Sequence, residues 1–435
     1  MVDKDYQHIA IIGGGIAGLA AASLLASRGM QIILFEASSQ LGGRARGLDY
    51  KGVKLDNGQH ILLGAYKETL ALLKLAGVDE GQVLMRLPLN LTMLDVNSNN
   101  TFALKACNVL PAPLHILAGL LLAKGLTFSS RLSAIKLMIW MKLNAFKLNI
   151  DVPLYDFLQA KKQPEAVIKN LWEPLCLAAL NTPIQFASTQ IFLNVLRDSF
   201  ARKKQDSDLL LPRVDLSTLM AAPLAAYIVG NGGQIKTNCA IKTLQHTADK
   251  ITLHSHAGEH NFSHVIIACA PHQLSKLIIP SLVDYFTYQP ITTVYLQYAK
   301  SVNLPQVMTG LVGSLSQWVF DKEKLSDQIG LIAVIISAHA PFDIRQEALA
   351  MRVVAELNSA FPQLKNSNLL WHKVITEKRA TFSCNANLAR PKAMTILNNV
   401  YLVGDFTANG HVQNDYPATI EGAVRSAIYA ANLVQ

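Results

Sequence analysis

Residues 9–22 read Ile-Ala-Ile-Ile-Gly-Gly-Gly-Ile-Ala-Gly-Leu-Ala-Ala-Ala, and few folds accept such a run. The apolar start reads as a buried strand. Gly13, Gly15 and Gly18 form a GxGxxG turn, and Ala17 to Leu25 read as the helix that the turn opens. The three glycines serve, in order, a tight turn, close approach of backbone to a pyrophosphate, and close packing of helix on strand. Ile16 and the helix N-terminus at Ala17 then offer unpaired N–H groups and a positive dipole end to phosphates. A second strand, Gln31–Phe35, runs into Glu36 and Ala37. A carboxylate at Glu36 accepts from ribose hydroxyls and disfavours a 2′-phosphate, so FAD or NAD is expected rather than NADP.

A lone GxGxxG is a weak signal, and the segments after it narrow the choice. Gly42, Gly43 and Arg44 form a second glycine pair followed by a cation, and Asp56-Asn-Gly-Gln-His60 comes next, with Gly58, Gln59 and His60 at its end. A simple NAD dehydrogenase has no use for a second close backbone approach here. FAD is long enough to require one, and Arg44 can add charge-assisted bonds to its phosphates. Far downstream, Val400–Asp405 reads as a strand entering a Gly404-Asp405 turn, and 416–423 as a helix start with Pro417 in the first turn. Asp405 is placed to bond the ribityl or pyrophosphate region. The N–H groups of Ala418, Thr419 and Ile420 can face the flavin pyrimidine edge, where the dipole favours negative charge.

With these segments in place the chain resembles the flavoproteins related to amine oxidases and phytoene desaturases. Within that group it is similar to the hydroxysqualene dehydroxylases of bacterial hopanoid pathways. The resemblance runs over nearly the whole chain, most particularly at 56–66, 172–183, 192–200, 376–381 and 416–422. It implies an α/β fold in which a Rossmann-like FAD domain, a parallel sheet with helices, is interleaved with a mixed helical and β-sheet substrate domain. The flavin domain is expected in three pieces, 1–95, 208–271 and 395–435. A helical, membrane-facing insertion over 96–207 and a strand-rich one over 272–394 form the substrate domain. By the same resemblance, backbone at Ile241 contacts the adenine.

Length and charge fit this picture. At 435 residues the chain exceeds what one core usually supports. It starts Met-Val-Asp-Lys-Asp and enters a strand at once, so export is not expected and the interior of the cell is. Five scattered cysteines without CxxC spacing suit a reducing compartment with no disulfide or metal. Cys384 is the one considered for a covalent flavin link, against the plainer reading of a core thiol. Between Asp95 and Asp151 there is no acidic residue, yet Lys105, Lys124, Arg131, Lys136, Lys142 and Lys147 fall there among apolar stretches. None of those stretches is long enough to span a bilayer. Two readings stand: a basic amphipathic surface resting on an anionic membrane, or an apolar helical cap with solvated lysines. Aromatics and arginines are too sparse there for nucleic acid.

The resemblance implies reductive dehydroxylation of an apolar C30 isoprenoid, hydroxysqualene to squalene, with upstream prenyl-condensing enzymes as candidate partners. What the protein must then supply is an apolar tunnel, a proton donor and a fixed distance to the flavin. His60, Asp415 and Tyr416 are the donor candidates. Each also has a structural reading: a satisfied histidine, a helix cap before Pro417, a packing ring. Glu377, Lys378 and Arg379 read as a surface or domain-interface ion-pair set, and Glu421 as support for the Gly-Asp turn. Reversed electron flow, as in a desaturase or an amine oxidase, and a non-catalytic prenyl carrier are the alternatives. A carrier has no use for Glu36, the second glycine pair and Asp405 together.

Overall fold

The computed structural model describes residues 8–434 apart from 99, 248–249, 275–276, 278–284 and 413–414. Its centre is a five-stranded parallel sheet in the order Gln234–Lys236, Gln31–Phe35, His8–Ile12, His264–Ile267, Val400–Leu402. Strands covered on both faces need apolar residues at every position, which is why 9–12 and 265–267 carry no polar alternation. All seven of those side chains are buried. The helix Ile16–Ala26 is likewise apolar all round, because it lies between the helices Ala222–Gly230 and Ile420–Ala431 as well as against the sheet. Alanine and glycine on the facing helices permit that close approach.

The second layer is a seven-stranded sheet, ordered Leu369–Phe382, Tyr288–Tyr298, Leu331–Ser337, Trp318–Asp321, Met308–Val312, Asn90–Asp95, Thr101–Lys105. Side chains alternate across it. Val319 and Val334 bury against the layer that holds the helix Gln346–Ala360, whereas Trp318, Phe320 and Ile335 turn the other way, into a cavity. The strand Asn90–Asp95 belongs to this sheet, although the sequence pattern carries the first flavin stretch to residue 95. It pairs in parallel with 310–312, a partner more than 200 residues away that local pattern does not announce.

Three further details differ from expectation. The last helix begins at Ile420, with Thr419 Oγ1 accepting from Gly422 N at 3.0 Å, so Pro417 lies before the cap and not in the first turn. Asp415 caps no helix, since its Oδ1 accepts from Asn409 N at 2.9 Å. Glu421 does not brace the Gly-Asp turn; Gly404 N donates to Ser426 Oγ instead.

Candidate flavin and substrate cavity

A continuous cavity of about 950 Å³ runs from the C-terminal ends of the parallel strands to the inner face of the seven-stranded sheet. That is at the upper end for small-molecule sites. Every cofactor-site residue named from the sequence lines it except Gly18. The exception agrees with the packing role of the third glycine: a Cβ on Gly18 would lie 1.9 Å from the Gly13 carbonyl oxygen. Gly15 is the opposite case. A Cβ there would meet nothing within 4 Å, because the position faces open cavity.

The two glycine bends are stitched together. Gly42 N donates to the Gly14 carbonyl at 2.8 Å, and a Cβ on Gly43 would touch the Gly15 Cα at 3.2 Å. Gly13 and Gly42, with φ of +111° and +99°, hold conformations that side chains resist. The helix starting at Ile16 has no side chain capping its first turn. Its N–H groups, and those at 418–420, therefore bring two helix N-termini to one wall. Glu36 is fixed by accepting from Gly14 N at 2.6 Å and Ser38 N at 2.7 Å.

Arg44 behaves differently from expectation. Its guanidinium donates to Asp405 Oδ2 at 2.7 Å and to the Ala380 carbonyl at 2.9 Å. The cation and the distant aspartate thus hold each other, joining the second glycine bend to the Gly-Asp turn on the cavity wall. The loop 56–60 is pinned just as firmly. Asp56 Oδ1 accepts from Leu216 N at 2.8 Å, Asn57 Nδ2 donates to Glu377 Oε2 at 3.4 Å, and Lys322 Nζ donates to Gln59 Oε1 at 3.3 Å.

His60 lines the cavity with its ring fixed by a 2.7 Å contact from Nδ1 to the Gly58 carbonyl. A carbonyl only accepts, so Nδ1 carries the proton and Nε2 is the open acceptor in the neutral ring. Burial holds the imidazole below its ordinary value of 6.5 against the Gly58 bond, and the Arg44 charge adds to the depression. The other two donor candidates do not reach the cavity. Asp415 is 7% exposed and occupied by Asn409. Tyr416 is 1% exposed, its ring wedged between Tyr66 and the Arg425 guanidinium, 4.1 Å from the ring centroid. Of residues 415–420, only 418–420 face the wall.

Cys384 is also withdrawn from the site. Its thiol sits in the core beside Arg390, burial pushes it up to about 11, and it is not on the cavity wall. Among the described residues no cluster of three or more His, Cys, Asp or Glu could hold a metal. Conversely, Glu377 and Arg379 line the cavity beside Tyr288, so this part of the charged trio is a site feature as well as an interface. Tyr288 and Lys322 had no sequence signal of their own, whereas Asn181 lies within 172–183, one of the segments that carry the resemblance.

Asp56 makes a pH prediction. Burial raises its carboxyl to about 6, against the Leu216 bond and the Lys322 charge that lower it. A raised folded value means that the native state keeps the proton longer than the unfolded chain. The associated stabilisation is full below 3.8 and is lost as pH rises through about 6. Asp56→Asn keeps the acceptor for Leu216 N and removes the titration. The unfolding free energy of the wild type, from urea titrations, should therefore fall relative to the variant between about pH 4 and 6, by about 3 kcal/mol in all. Parallel curves would contradict the assignment.

A parallel sheet with a glycine turn at its strand ends, a second glycine bend and a Gly-Asp turn on one elongated cavity defines an FAD-dependent oxidoreductase. The chain belongs to the flavin containing amine oxidoreductase family, whose model matches residues 16–435. It is 27% identical to a hydroxysqualene dehydroxylase of Rhodopseudomonas palustris, over 98% of each chain. It is 21% identical to a zeta-carotene desaturase of Capsicum annuum, over 96% of this chain and 80% of that one. In structure it matches a putative protoporphyrinogen oxidase from Exiguobacterium with a TM-score of 0.73 at 16% identity, covering 98% of both chains. The resemblance read from the sequence is thereby borne out, as are the fold class and FAD.

Proposed function

We propose that this enzyme removes the hydroxyl of hydroxysqualene, an allylic thirty-carbon alcohol, to give squalene. The observation that carries the reading is the continuity of the cavity: the glycine cradle at one end opens onto a wall of Trp318, Phe320, Ile335, Ile291 and Ile61. The shared sequence with dehydroxylases, over nearly the full length of both chains, supports it. Bound FAD, when reduced, supplies a hydride to the substrate carbon. The chain does the rest. Apolar walls hold the hydrocarbon by burial, at about 25 cal/mol per Å². They also keep water from an allylic cation, so that hydride and not hydroxide completes it.

The leaving hydroxyl needs one proton and departs as water, and we assign that proton to His60 Nε2. The Gly58 bond sets the ring orientation and leaves Nε2 as the site that gains and gives the proton. Because the imidazole titrates below 6.5, kcat/KM should rise as pH falls from about 8 to 6. In His60→Gln the pH dependence should vanish, with a loss of about 10²–10⁴ in kcat. A variant with an unchanged pH profile would remove His60 from the role. Assays with phytoene and with simple amines separate this reading from a desaturase or an amine oxidase, since those substrates reduce an oxidised flavin.

A further inference from the structure

The helices Leu114–Leu121 and Phe128–Leu143 pack against each other and carry the densest run of exposed large apolar side chains among the described residues. At 3.6 residues per turn, the exposed Phe128, Ile139 and Leu143 fall within about 60° of arc, with the half-buried Leu132 and Ile135 on the same side. The buried Ala134, Leu137, Met138 and Met141 occupy the opposite side. The second helix therefore has two apolar faces, one in the core and one outward, where Phe128 is 62% and Leu143 80% exposed. Lys136 borders the outward stripe on one edge, Arg131 and Lys142 on the other. The first helix repeats the design, burying Ile116 and Leu120 while Leu114 and Leu121 point out, and exposed Lys124 sits in the connection.

A helix that only covers a core needs one apolar stripe. A second stripe facing outward, edged by cations, is the composition of a helix lying in a bilayer interface. We propose that this face docks on an anionic phospholipid bilayer, with the stripe among the acyl chains and the lysines at the headgroup phosphates. No described helix is long and apolar enough to cross a membrane, so contact on this face is in the plane. A second copy of the chain is a poorer occupant. A two-fold contact would set these cations against themselves, and the segment has no carboxylate between Asp95 and Asp151 to pair them. Docking here is independent of which apolar substrate the cavity takes.

Flotation of the holoenzyme with lipid vesicles tests it. The enzyme should float with phosphatidylcholine vesicles containing phosphatidylglycerol, and stay behind with phosphatidylcholine alone or at high salt. Lys136→Ala with Lys142→Ala, both exposed positions, should weaken partition about twentyfold to thirtyfold, near fivefold per cation. Phe128→Ser with Leu143→Ser should abolish flotation while the protein remains yellow and monomeric. No flotation with anionic vesicles, or flotation untouched by both double variants, would overturn the proposal. So would a wild-type dimer that the serine variant dissociates.

Discussion

Gly15→Val should give a folded, colourless protein. Gly15 precedes the first helix with φ −73° and ψ 178°, a conformation open to any residue, and its Cβ direction meets only cavity. The substitution therefore strains nothing in the chain and instead fills the space where backbone approaches the pyrophosphate. Loss of two charge-assisted bonds, at about 1.5–3 kcal/mol each, weakens FAD binding by at least about a hundredfold. Gly18→Val is the contrast. With the Gly13 oxygen at 1.9 Å from the new Cβ, that variant should fail to fold. Flavin absorbance together with circular dichroism separates the two outcomes. A yellow Gly15→Val protein with normal affinity would show that the turn does not touch the cofactor.

The second large effect is one of stability. Glu421 is fully buried and accepts from Thr69 Oγ1 at 2.7 Å, Thr69 N at 3.0 Å and Arg425 Nε at 2.9 Å. Arg425 in turn bonds Asp198 at 3.1 Å and lies over the Tyr416 ring. The carboxylate thus ties the last helix to the helix Lys67–Leu75, and through Arg425 to the helix Thr189–Phe200. Glu421→Ala leaves a half-buried guanidinium short of one partner and two buried Thr69 donors unpaired, a loss of about 3 kcal/mol. Denaturant midpoints should fall accordingly at unchanged m. A change within about 0.5 kcal/mol would mean that the network relaxes onto water or Asp198.

What the sequence made legible follows from range. Strand, glycine turn and helix at 9–26 are contiguous, and the part each glycine plays is local, so even the distinction between Gly15 and Gly18 was available before the structure. The glycine pair at 42–43 and the turn at 404–405 were visible as separate pieces. Their joining through Arg44 and Asp405 spans 361 positions, which no local pattern encodes. Asp415 and Tyr416 lie off the cavity for a related reason: nearness in sequence to 418–420 does not decide which way a side chain points, and these two point at Asn409 and at Tyr66 and Arg425. Lys322 was hidden in Lys-Glu-Lys, a run that reads as surface, yet it is 6% exposed because Asp321 caps the helix inward. The trio 377–379 reads as a surface or domain-interface ion-pair set, and strand alternation puts Glu377 and Arg379 on the cavity side of that interface.

On the proposed function, one cavity holds FAD and an apolar alcohol in line for hydride transfer. The most direct test is a single turnover: holoenzyme reduced anaerobically, mixed with hydroxysqualene, and followed by flavin absorbance with extraction of the lipid. Oxidised flavin should return, and one squalene should form per flavin. Flavin that stays reduced in the presence of hydroxysqualene, with no squalene in the extract, would contradict it.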